Sequence, residues 1–171
     1  MKVILYMAIT ANGKIAKEND EVFFVSKNSW KIFDVISKKA GNIIMGRRTY
    51  EISLADKTFP YSERLNVVMA KKPVKNKWGE RAIFTYLAPK EVLNMLEKKG
   101  FKTAFIGGGS KINSAFLKEK LVNEIYLDVE PVFIGKGIPL LAESSFETTL
   151  ELIDTKKLSS NEVQLHYRVK K

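Results

Sequence analysis

Short apolar runs that end in glycine restrict most strongly what this chain can fold into. Val3 to Ile9 is a continuous apolar run rich in branched residues, and Asn42-Ile43-Ile44-Met45 is a second strand, apolar after its asparagine. That pattern belongs to strands covered on both faces, because a strand with one wet face alternates polar and apolar residues. Leu65 to Ala70, Arg81 to Thr85, Thr103 to Ile106 and Glu124 to Val129 continue the series. Between these runs the period becomes helical. Ser26 can cap a helix reaching about Lys39, with Trp30, Phe33, Ile36 and Ala40 on one face and Gly41 closing it. A short helix follows from Arg47 to about Ser53. Pro89 opens another, with Val92, Leu93 and Leu96 inward, and a last one buries Ile112, Ala115 and Phe116. The stretch from Asn12 to about Val25 reads as a loop.

After Pro131 the pattern changes. Thr148 to Ile153 and Glu162 to Val169 flank a polar loop, Asp154 to Asn161. Val163, Leu165, Tyr167 and Val169 alternate with Gln164, His166, Arg168 and Lys170, as in a half-exposed hairpin. The expectation is one α/β domain over residues 1–171, with a mainly parallel central sheet finished by an antiparallel C-terminal edge hairpin.

Composition narrows the chemistry. There is no cysteine and one histidine, His166, on the polar side of that hairpin, where it reads as a surface residue. Thiol nucleophiles, disulfides, histidine triads and transition-metal centres therefore lack parts, and no metal is expected. No apolar run is long enough to span a bilayer, so a soluble cytoplasmic protein without membrane contact is expected. The net charge of +10 favours anionic ligands. The basic residues are scattered in pairs such as Lys38-Lys39, Lys98-Lys99 and Lys170-Lys171, without the stripe or stacking platform of a nucleic-acid module. A small phosphorylated ligand fits better than nucleic acid.

Open parallel sheets bind ligands beyond the carboxyl ends of their strands. Two such ends stand out here. Met45-Gly46-Arg47-Arg48-Thr49-Tyr50 runs from a strand into a helix start, either as a plain tight turn or as a phosphate-sized anion site. Ile106-Gly107-Gly108-Gly109-Ser110-Lys111 does the same with three glycines, although Ile112 breaks both common phosphate-loop patterns. If backbone approaches a ligand at Gly108, a Cβ there would strike the ligand and leave the fold intact. Asp128 and Glu130 share one face at the carboxyl end of the sixth strand, and Asp34 lies one turn beyond Trp30. A dinucleotide site with neither nucleophile nor metal points to hydride transfer.

Together these pieces resemble the dihydrofolate reductase superfamily, particularly its branch containing the riboflavin-biosynthesis reductase domain. The matching segments are Ala8 with Asn12 to Ala16, Met45 to Glu51, Ile106 to Ser110, and Asn123 to Leu127 with Pro131 to Gly137, in family order. The resemblance implies an NADPH-dependent reductase. Gly46, Arg47, Arg48 and Thr49 would hold the cofactor phosphates, with Ile106, Gly107, Gly108, Gly109, Ser110 and Lys111 against the pyrophosphate. Lys71 and Lys72 would read the 2′-phosphate. The loop from Thr10 to Phe24 would close over nicotinamide, with Ala8, Ile15 and Ala16 near the ring. Asn28, Ser29, Trp30 and Phe33 of the first helix, with Tyr6 and Tyr126 of the sheet, would line the substrate side. Folate reductases carry an acid at the start of that helix, and here Lys27-Asn28-Ser29-Trp30 has none. Asp128, with Asp34 second, is the candidate relocated catalytic carboxylate. Dihydrofolate is the first substrate candidate, and 5-amino-6-(5-phosphoribosylamino)uracil is the alternative. A nucleotide-binding module is the non-enzyme alternative. The riboflavin-type branch also implies a homodimer.

Overall fold

The computed structural model describes residues 1–72 and 74–170; Lys171, half of the terminal basic pair, lies outside them. The strands are β1 (Lys2–Thr10), β2 (Lys14–Lys17), β3 (Asn42–Gly46), β4 (Leu65–Met69), β5 (Ala82–Thr85), β6 (Thr103–Ile106), β7 (Glu124–Glu130), β8 (Gly137–Pro139), β9 (Leu150–Lys157) and β10 (Val163–Val169). The helices are α1 (Lys27–Ala40), α2 (Arg47–Ala55), α3 (Pro89–Lys98) and α4 (Ser110–Lys118), with a 3₁₀ turn at Gly79–Arg81.

Eight strands form one sheet in the order β5-β4-β3-β6-β1-β7-β10-β9. The first six run parallel, and β10 and β9 add an antiparallel edge. The continuous apolar runs are explained by cover on both faces. Val3 and Leu5 of β1 pack with Val92, Leu96 and Phe116 of α3 and α4. Ile4 and Tyr6 pack on the other face, with Ala40 of α1 and Tyr50 of α2. Each large side chain fully buried in this way contributes about 1.5–3 kcal/mol. Ser26 caps α1, its hydroxyl accepting the Ser29 N–H at 3.1 Å, and Gly41 closes it in the left-handed region at φ 72°. Pro89 stands first in α3, and the Glu91 carboxylate accepts the Ala88 N–H at 2.8 Å.

Four expectations change. The loop after β1 contains β2, which pairs with β8 in a separate two-stranded sheet. Neither strand has hairpin partners close in sequence, so no local pattern marks them. Strand β9 runs on to Lys157, through residues whose polarity suggested a loop; they are polar because the whole strand is exposed. Gln164, expected outside, is buried beside Asp128, and His166 stacks on Tyr126 at 3.9 Å. Trp30, expected on the buried face of α1, is half exposed. Among the described residues no helix is long and apolar enough to cross a membrane.

Candidate active site

Strands β3 and β6 are neighbours, so the two glycine turns after them lie side by side. The Gly107 N–H donates to the Ile44 carbonyl, and the Gly46 N–H donates to the Gly108 carbonyl, both at 2.9 Å. Helices α2 and α4 start from these turns, and neither N-cap, Gly46 or Gly109, offers a side chain to the free backbone N–H groups. Such groups and the positive helix ends attract anions. A Cβ on Gly109 would lie 3.3 Å from Thr49 Oγ1 and 3.9 Å from Ile15 Cδ1, so α2, α4 and the loop after β1 converge there. Buried Ser110 Oγ, at the first residue of α4, has no hydrogen-bond partner among the described residues. Lys111, Lys71 and Lys72 are exposed at the same carboxyl side of the sheet.

Both arginines of the α2 turn are paired. Arg47 Nε meets Glu51 Oε1 at 2.7 Å, and Arg48 Nε meets Asp20 Oδ1 at 2.6 Å, tying α2 to the segment after β2. Surface pairs of this kind contribute about 0–1 kcal/mol, so a phosphate can displace them at small cost. The uncapped helix ends, the unpartnered Ser110 hydroxyl and the exchangeable arginines fit a dinucleotide pyrophosphate.

A second, polar cluster lies where α1 starts against β1 and β7. Tyr6, Ser29, Asp128 and Glu130 are all buried. The Glu130 carboxylate takes the Ser26 N–H at 2.9 Å and the Ser29 hydroxyl at 2.8 Å on Oε1, while Oε2 has no partner among the described residues. Gln164 donates to Asp128 Oδ1 at 2.6 Å. The Tyr6 hydroxyl lies 2.7 Å from the Ser29 carbonyl and also within hydrogen-bond distance of Asp128 Oδ2. One phenolic proton serves one of these acceptors, so a proton on Asp128 completes the set. Burial acts the same way, pushing the Asp128 carboxyl above its ordinary range, against the lowering effect of its Tyr6 and Gln164 contacts. Tyr6 is likewise pushed up, by burial first and then by Asp128.

A raised native pKa stabilises the fold below the unfolded carboxyl pKa of about 3.9, and that contribution is lost as pH rises through the native value. Asp128→Asn is therefore expected to keep the fold and to flatten the decline in stability above about pH 4, measured by urea unfolding across a pH series. Parallel curves for parent and variant would mean that Asp128 titrates alike in folded and unfolded chains.

The structure brings Tyr6, Ser29 and Asp128 together and Ile15, Thr49 and Gly109 together, as the sequence suggests. It separates others. Asp34 Oδ1 is taken by Arg64 and Oδ2 by Lys38 at 3.1 Å, which makes it a bracing residue between α1 and the chain before β4. Asp128, with both oxygens engaged inside the protein, offers no free pair of acceptors. Phe33 is held among aromatic rings, 5.3 Å from Phe105 and 5.8 Å from Tyr6 between centroids. Asn28 donates to Glu162 at 2.9 Å, and Tyr126 is covered by His166. Gln164 and the capping role of Glu130 were missed; the two-residue spacing of Asp128 and Glu130 was the available signal. An apolar groove of about 410 Å³, lined by Leu5, Leu117, Ile125, Leu127 and Phe146 among others, holds none of these polar groups.

Solved structures share this architecture. A putative riboflavin biosynthesis protein from Shewanella sp. PV-4 superposes with a TM-score of 0.84 at 22% identity, over 100% of both chains. A diaminohydroxyphosphoribosylaminopyrimidine deaminase/5-amino-6-(5-phosphoribosylamino)uracil reductase from Thermotoga maritima superposes with a TM-score of 0.76 at 15% identity, over 98% of this chain and 56% of that longer one. These likenesses define the fold class as that of the riboflavin-type reductase domains. Residues 57–164 match the model of the RibD C-terminal domain, and the chain belongs to that family. It is also 30% identical to the uncharacterized protein YwjB of Bacillus subtilis (strain 168), over 97% of each chain.

Proposed function

We propose that this protein is an NADPH-dependent reductase of a phosphorylated ribosylamino-pyrimidine. The observation that carries the reading is the pair of uncapped helix starts joined by the Gly46 and Gly107 hydrogen bonds, in a chain of the RibD C-terminal family. Gly46 to Thr49 and Gly107 to Lys111 hold the cofactor pyrophosphate, Lys71 and Lys72 its 2′-phosphate, and Ala8, Ile15 and Ala16 border the nicotinamide. When bound, the nicotinamide supplies a hydride to an imine carbon of the ring-opened sugar. Tyr6, Ser29 and Gln164 hold Asp128 in place at the head of α1, and burial raises its carboxyl above the ordinary range there. The net charge of +10 suits a phosphorylated substrate.

Dihydrofolate, first on the sequence, moves to second place. A pterin presents a pair of N–H donors that needs two adjacent acceptor oxygens. Asp128 spends its oxygens on Tyr6 and Gln164, and Asp34 spends its own on Arg64 and Lys38. The name of the Thermotoga relative supports the pyrimidine. In parallel assays of NADPH oxidation, kcat/KM for the phosphoribosylamino-pyrimidine is expected to exceed that for dihydrofolate by about 100-fold or more, the scale set by unpaired polar groups. Equal or better turnover of dihydrofolate overturns the proposal.

A further inference from the structure

Two carboxylates are buried among the described residues, Asp128 and Glu130, and only the first is fully paired. Asp128 spends its oxygens on Tyr6 and Gln164. Glu130 is 1% exposed and stands in no ion pair among the described residues. Both of its donors, the Ser26 N–H at 2.9 Å and the Ser29 hydroxyl at 2.8 Å, go to Oε1. They fill the two lone pairs of that oxygen. Oε2 has no donor among the described residues. A buried charged group is the costliest kind to leave unmatched, and native folds rarely do so. A donor from outside the chain completes it.

Glu130 is the last residue of β7 and pairs with buried Thr10, the last of β1. Both strands end at the carboxyl side of the parallel sheet, where ligands enter such folds. Two residues earlier on the same face, Asp128 pairs with Ala8, which borders the nicotinamide in the reading above. The first turn of α1 carries no acid, and Glu130 brings one to that helix head from the sheet. Ser26 and Ser29 grip one oxygen and so fix the direction of the other. We propose that Glu130 Oε2 accepts the ring N–H between the two carbonyls of the pyrimidine substrate and orients that ring, an assignment that rests on the reductase reading above. That N–H is an isolated donor, flanked by acceptors, and one free oxygen matches it. A pterin offers two donors side by side, and the second oxygen such a pair needs is already filled by Ser26 and Ser29. Glu130 therefore favours the pyrimidine over the pterin at the point of contact.

The test compares the parent with Glu130→Gln, on the phosphoribosylamino-pyrimidine and on its analogue methylated at that ring nitrogen. In the variant the amide oxygen keeps the Ser26 and Ser29 contacts, while an NH2 donor replaces Oε2 and faces the substrate N–H. KM for the pyrimidine is expected to rise about 30-fold with kcat little changed, the mark of lost binding shared by ground and transition states. NADPH affinity by fluorescence titration and the melting temperature are expected to stay as in the parent. A role confined to capping α1 would move the melting temperature and leave KM in place. The parent is expected to lose a similar factor on the methylated analogue, and Glu130→Gln to discriminate far less between the two compounds. The methylation arm on the parent stands even if the variant fails to fold. An unchanged KM in a folded Glu130→Gln, or a parent indifferent to methylation, overturns this assignment alone. A parent that does not reduce the pyrimidine overturns the reductase reading and this assignment with it.

Discussion

A Gly108→Ala variant is expected to bind NADPH about 30-fold more weakly and to melt about 4–8 °C lower than the parent. Gly108 has φ 92°, a conformation that costs a side-chain-bearing residue about 1–3 kcal/mol. A Cβ there would also collide with the terminal methyl of Met7. The clash that sequence reasoning assigned to the ligand therefore begins inside the protein. Relief requires the turn or Met7 to move, and the Gly108 carbonyl is the acceptor for Gly46 N–H. Moving one turn drags the other, so both helix starts leave their positions together. About 2 kcal/mol of misplacement gives the 30-fold loss, and the same amount in stability gives the melting shift for a chain of this size. Fluorescence titration and calorimetry measure the two quantities. A lowered melting point with unchanged NADPH affinity would detach the turn from the cofactor.

Arg64→Ala is expected to cost about 3 kcal/mol of stability. The Arg64 side chain is only 1% exposed. Its guanidinium donates to the Ser62 carbonyl at 2.9 Å, to the Ser37 hydroxyl and to the Asp34 carboxylate, and it lies 5.7 Å from the Tyr61 ring centre. Truncation removes the packing of a buried stem and the brace between α1 and β4 together. Arg64→Lys recovers little, because an ammonium cannot reproduce the fork. Asp34→Asn costs less, since Asp34 is 46% exposed and its variant remains hydrated. The Arg64 contact, ahead of the Lys38 contact, holds the Asp34 carboxyl below its usual range. Its stabilising contribution is present above the unfolded pKa of about 3.9 and is lost as pH falls through the native value. Asp34→Asn should therefore flatten the acid limb of the stability curve, the opposite end from Asp128. Urea unfolding from pH 2 upward measures it, and an unchanged acid limb would leave Asp34 outside the ion pair in solution.

These two aspartates also show where the sequence was legible. Spacing alone placed Asp128 at the ligand end of a strand and Asp34 on the helix beside it, and both placements hold. It could not tell which was buried, because their partners, Gln164 and Arg64, come from distant elements. The strands of the parallel sheet were legible because cover on both faces leaves an unbroken apolar run. Strands β2 and β8, which are short, and the far half of β9, which is exposed on both faces, were not, because their residues answer to solvent. The two glycine turns stood out because a Cβ is crowded out there, by close packing at Gly46 and Gly107 and by a positive φ at Gly108, whereas their mutual hydrogen bonds carry no sequence mark.

The placement of β1 has a consequence for how the chain is made. Its neighbours in the sheet are β6 and β7, so Lys2 pairs with Thr103 and Thr10 pairs with Glu130. Strand β1 therefore takes its place in the sheet only once the far later β6 and β7 are present. At about 5–20 residues per second it waits on the order of ten seconds for its partners, an apolar strand with two open edges. Pairings this distant also place the fold among the slower ones. Until those partners arrive β1 is open to wrong pairings, whereas β9 and β10 are neighbours in the chain and close against each other locally.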